Sequence, residues 1–123
     1  MDVDIDFQPE LQVAGEKYKA ALEAKIDSGV PPPNALRTIM RKGHDLTLRD
    51  TWAYRNSIEV HVTPESAEIG VFDPKIGEYV FWNEHGTKII PPRPVFGPVA
   101  DGPGEQFLDE LEADIADKII EEI

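Results

Sequence analysis

The chain has 123 residues, 41% of them hydrophobic, a formal charge of -12 at neutral pH and no cysteine. This length bounds one domain with a modest core, and the missing cysteines exclude disulfides and thiolate metal sites. The negative charge disfavours sequence-specific binding to duplex DNA, and no apolar run approaches the roughly 18–20 residues that span a bilayer. The opening Met1–Phe7 is acidic and lacks a basic n-region, so the expectation is a protein without a signal peptide, made in the cytoplasm and used there or in an assembly built there. The charge is uneven. From Asp101 to Ile123 nine acidic residues stand against Lys118 alone, whereas between Ala35 and Arg55 the cations Arg37, Arg41, Lys42, Arg49 and Arg55 outnumber Asp45 and Asp50.

Residues 9–28 predict a helix: Leu11, Ala14, Tyr18, Leu22 and Ile26 recur at helical steps. Pro9 is tolerated in a first turn, and Gly29 followed by Pro31-Pro32-Pro33 is a stop. Residues 30–56 read as loop-rich, with a short helical start around Leu36, Ile39 and Met40, then an extended loop from Gly43 to Asp50 that a partner would order. Ile58, Val60 and Val62 alternate with Glu59, His61 and Thr63, and Ile69 and Val71 return after a turn at Thr63–Ser66, predicting a hairpin. Asp73–Gly77 reads as a second turn. "EYVFWNEHG" reads as a third strand, or one passing into a short helix, with Tyr79, Val80, Phe81 and Trp82 buried on both faces and the sheet spanning 57–86. Ile90–Pro103 is dense in proline and glycine, predicting a stiff extended arm that is neither helix nor central strand. A C-terminal helix over 104–123 follows, with Phe107, Leu111, Ile115 and Ile119 on one face, Leu108, Ile120 and Ile123 on its flank, and an acidic opposite face. The apolar stripe predicts docking against the sheet or another chain. The fold class expected is α+β, a small antiparallel sheet flanked by an N-terminal and a C-terminal helix.

Glu84-His85-Gly86 is the stretch that most resembles chemistry. Adjacent residues on a strand point to opposite faces, so these two side chains would not share a substrate atom. His-Glu-x-x-His, a Gly-rich phosphate loop and a Gly-x-Ser-x-Gly elbow are all missing. The spacing of His44-Asp45, His61 and His85 does not favour a metal site. The expectation is therefore no catalysis, no metal and no cofactor. Trp52 and Tyr54 read equally as core or as inter-subunit anchors. The acidic C-terminal helix reads as a solvated face, as a lining that keeps DNA from sticking, or as part of a DNA mimic.

Taken in order, Leu48–Ile58 ("LRDT…NSI"), the hairpin, "YVFWNEHGTK", "PPRP" and a closing helix resemble the tail-completion or head–tail joining proteins of tailed bacteriophages, also called virion morphogenesis or minor tail proteins. The matches are Asp50, Thr51, Ser57 and Ile58, then Tyr79, Glu84, Gly86 and Thr87, then Pro92, Arg93, Pro94 and Phe96, and they cover roughly Pro31 onward. Trp52 departs from the family's usual glycine, and Ala53-Tyr54-Arg55 replace its Leu-containing turn. The resemblance implies an α+β structural subunit without catalysis or cofactor, assembled into a homo-oligomeric ring, commonly sixfold, at the head–tail junction of the virion. Its partners would be other phage neck, connector and tail proteins, with DNA passing through the lumen unread and no membrane involved. Candidate interface residues are Trp52, Tyr54, His85, Thr87, Pro92, Arg93, Pro94, Phe96, Ile120 and Ile123. The alternative is a soluble acidic interaction or inhibitor module that mimics DNA.

Overall fold

The computed structural model describes residues 5–29, 53–88 and 91–122. Trp52, Ile123, the motif matches Asp50 and Thr51, the Gly43–Asp50 loop and the helical start near Leu36 lie outside the described residues.

Helix α1, Gln8–Asp27, begins with Pro9 in its first turn and closes with the Ser28 amide on Ala24 O at 3.0 Å. A short helix α2, Ala53–Asn56, leads into strands β1, Ile58–Val62, and β2, Ala67–Val71. The strands pair antiparallel with Ile58 opposite Val71 and Val60 opposite Ile69. The period-two pattern thus puts Ile58, Val60, Ile69 and Val71 on the face turned to α1. Thr63 closes the hairpin: its amide donates to Ser66 O at 2.8 Å, and its Oγ1 accepts from the amides of Glu65 and Ser66. Gly15 is what lets α1 lie flat on the sheet, because a Cβ there would stand 2.5 Å from Val60 Cγ1.

Pro74–His85 is helix α3, where the sequence reading placed a second turn and then a third strand, or one passing into a short helix. Asp73 is its N-cap, accepting from Lys75 N at 2.9 Å and Ile76 N at 3.1 Å, with Pro74 at the first position. Gly86 ends it at φ 79 and ψ 166, a conformation open almost only to glycine. The same geometry corrects the expected burial. Four consecutive large residues cannot all face inward on a helix, so Val80 enters the core while Tyr79, Phe81 and Trp82 stay at the surface.

The arm over 89–103 also differs from expectation, for it contains helix α4, Phe96–Asp101. Pro98 is no obstacle, since it falls in the first turn, where the amide would have no intrahelical partner. Helix α5, Pro103–Glu122, runs antiparallel along α1. Tyr18 meets Phe107 edge-on at 6.3 Å, Lys17 Nζ lies 2.7 Å from Glu110, and Lys118 Nζ lies 2.7 Å from Glu10 and donates to Asp6 O. The architecture is α+β: a two-stranded antiparallel sheet among the described residues, with helices from both halves of the chain. Leu22 and Ile26 of α1, Tyr54, Ile58, Val80, Val95 and Val99 make one core. Arg55 Nε and Nη2 clamp Asp27 at 2.9 and 3.0 Å, tying α2 to the end of α1.

Candidate interaction surface

Residues 83–86 and 93–97 meet in one joint. Glu84 sits on the half-buried side of α3 and aims its carboxylate across the loop at the start of α4. Its Oε1 accepts from the amides of Val95 at 2.8 Å and Phe96 at 3.0 Å, and its Oε2 from Gly97 at 3.0 Å. Those are the orphan amides of a helix start, and a carboxylate at that position meets both the unpaired donors and the helix dipole. Beside it, buried Asn83 accepts the Arg93 amide on its main-chain oxygen and donates Nδ2 to Tyr79 O at 2.9 Å. Val95 is then fully buried, and Phe96 packs half-buried against the core.

Each candidate interface residue finds a place relative to this joint. Tyr54 belongs to the core of its own chain and crosses Tyr79 edge-on at 6.3 Å, so it is no inter-subunit anchor. Its hydroxyl is buried and finds no hydrogen-bond partner among the described residues, and desolvation, with Glu84 adding to it, pushes its ionisation well above the ordinary phenol range. Arg93 and Pro94 are half-buried in the docked arm, while Pro92 and Thr87 are exposed. Ile120 is exposed on α5. His85 is exposed on the outer side of α3 and rests against Phe81, with ring centroids 4.5 Å apart. Glu84 and His85 therefore do diverge, but by a helical step rather than by strand alternation. The Glu84 oxygens are held by main-chain amides, which leaves this pair unlike a general acid or base.

Sequence reasoning missed the outer face of α3. Phe81 is 61% exposed, and Tyr79 and Trp82 are each 41% exposed. Phe81 and Trp82 share the outer side with His85, whereas Tyr79, two residues before Phe81 on the helix, points nearly opposite to it and crosses Tyr54. The signal was available in the Asp73-Pro74 start and Gly86 stop, which define a helix and so force this side outward.

Two further features bear on chemistry. A shallow groove of about 410 Å³ between α1 and α5 is lined by Glu10, Val13, Asp114, Asp117, Lys118 and Glu121 among others, with Lys118 already paired to Glu10. Among the described residues no group of three or more His, Asp or Glu is placed to hold a metal ion, and no helix is long and apolar enough to cross a membrane. No family profile, curated protein or solved structure matches the chain.

Proposed function

We propose that this chain is a structural protein of a tailed-phage virion, a ring-forming neck or tail-completion subunit that joins the capsid connector to the tail. The Glu84 joint carries the reading. The fragments that resemble the phage family, Glu84-x-Gly86-Thr87 and Pro92-Arg93-Pro94-x-Phe96, are two halves of one clasp in the fold. Glu84 caps the amides at 95–97, Gly86 supplies the turn between them, and the arm docks by its main chain. A carboxylate used this way makes a rigid joint, and a pre-ordered surface loses less entropy on association.

Two other observations support the reading. The aromatic side of α3 is the kind of surface that subunit contacts cover. The outer side of α5 also carries exposed carboxylates, Asp109 and Asp117 among them, which would repel a DNA strand passing a lumen. No catalytic step, cofactor or metal enters this function.

The test is mass spectrometry and cryo-EM of purified particles from the phage whose genome encodes the chain. The expected result is a fixed small number of copies per particle, located at the head–tail junction, and unjoined heads and tails when the gene is deleted. Infectious particles that lack the protein would overturn the proposal. The acidic side of α5 also favours the second reading, a DNA mimic; that reading instead predicts a salt-sensitive complex with a basic DNA-binding protein and no ring.

A further inference from the structure

We propose that the aromatic face of α3 in one copy seats against the outer stripe of α5 in a second copy, head to tail. The inference rests on the ring reading for the expectation of closed assembly, and on the surfaces themselves for the pairing.

The two surfaces differ in kind and complement each other. Phe81, Trp82 and His85 make the outer face of α3, with Lys75 at one end and Lys88 just beyond the other, both exposed, and Glu78 as the carboxylate between them. On a chain of charge -12 this is an aromatic surface on which Lys75 and Lys88 balance Glu78 and the capping Asp73. On α5, Leu108 and Ile119 stand eleven residues apart, about three turns, and so share one line beside the seam of Phe107, Leu111 and Ile115 that packs on α1. Leu108 is 57% exposed and Ile119 39%, and the stripe is edged by Glu105 and Glu112. Apolar centre meets apolar centre, and lysines meet carboxylates.

Other pairings of the same surfaces fare worse. Two α5 stripes brought together would juxtapose carboxylates, and like charges facing each other penalise association. Two α3 faces would bring Lys75 and Lys88 toward their own copies and leave the α5 stripe uncovered. A contact between two different surfaces is heterologous, and a heterologous contact closes into a ring when its rotation divides the circle. An interface of standard size needs about 800 Å² from each partner, and the aromatic patch supplies its apolar centre.

The test uses the full chain in sedimentation velocity and native mass spectrometry. One variant carries Phe81→Ser and Trp82→Ser, the other Leu108→Ser and Ile119→Ser. The wild type is expected to associate with rising concentration, and each variant alone to stay monomeric. The two variants mixed are expected to give a one-to-one dimer, because each retains the surface that the other has lost. An α5 variant that still dimerises by itself would mean an α3–α3 contact and overturn the pairing. So would a wild type that is monomeric at every concentration, or one that assembles with some other protein only. A ring that survives both variants overturns the pairing while leaving the neck reading to the particle experiment.

Should either variant lose its cooperative melt, charge reversal at exposed sites reads the same contact. Lys75→Glu with Lys88→Glu, and separately Glu105→Lys with Glu112→Lys, should each weaken association at least tenfold, and the chain carrying all four should recover it. No recovery overturns the proposal.

Discussion

Replacing Glu84 by alanine tests whether the joint between α3 and α4 is held as the structure implies. The substitution removes both carboxylate oxygens and leaves the amides of Val95, Phe96 and Gly97 without their acceptors at 2.8, 3.0 and 3.0 Å. A hydrogen bond to a charged group contributes about 1.5–3 kcal/mol, and an orphaned buried amide costs about 1–3 kcal/mol. Three such terms do not add, because the site is half-buried and water can reach part of it. A net loss of about 3 kcal/mol is expected, which for a chain of this size lowers Tm by roughly 10–15 °C. Glu84→Gln keeps one oxygen acceptor and should lose about half as much. Urea and thermal denaturation give the magnitude, and amide exchange locates it, with residues 95–97 losing protection first. If Glu84→Ala melts within about 0.5 kcal/mol of the wild type and those amides keep their protection, the clasp does not hold the arm and the reasoning fails.

Three further perturbations test other parts of the fold. Gly86→Ala places a Cβ in a region that glycine alone occupies with ease, and should cost about 2 kcal/mol in denaturant titration. Gly15→Ala gains helix propensity but drives a Cβ to 2.5 Å from Val60 Cγ1; combined with Val60→Ala in a double-mutant cycle it should show a favourable coupling of about 1 kcal/mol or more, and strict additivity would refute the close approach. The Lys17 hydrogen bond, with Gln106 adding to it, holds the Glu110 carboxyl below its ordinary value. A depressed folded-state value means stability that is present above the unfolded value and is lost as pH falls through the folded one. Stability should therefore decline on acidification below about pH 4.5, and Glu110→Gln should flatten part of that decline; an unchanged slope would remove this pair from the account.

The parts of the fold that were legible in the sequence are those with an unbroken period. Leu11 to Ile26 marked α1, Ile58 to Val71 marked the hairpin, and Phe107, Leu111 and Ile115 marked the inward side of α5, where they are half-buried, while Ile119 of the same expected stripe stays exposed. Helix α3 was misread because Tyr79-Val80-Phe81-Trp82 are residues that favour strands, and a run of them suggests burial on both sides. The caps carried the truth: Asp73 before Pro74 starts a helix, and Gly86 ends one twelve residues later. Proline density hid α4 in the same way, because a proline in a first turn is harmless and only its register reveals that. The Glu84 clasp had no local signature at all. A side chain that reaches 11 to 13 residues ahead across a loop leaves no periodic trace, and sequence identified its two halves only by resemblance, without showing that they touch. Likewise Tyr54, which read equally as core or anchor, was settled by the packing of α2 under Tyr79.

The way α1 and α5 are joined also dictates an order of folding. The contacts of the Glu84 clasp close loops of 11 to 13 residues, whereas Lys17–Glu110 and Glu10–Lys118 close loops of 93 and 108. Closing the longer loops costs about 2 kcal/mol more in chain entropy, and such contacts form late in a folding reaction. The hairpin, α3 and the docked arm can therefore be in place while α1, already made, still waits for α5. During synthesis the hairpin can cover one flank of α1 early, while the flank that carries Lys17 and Glu10 stays uncovered until α5 has emerged.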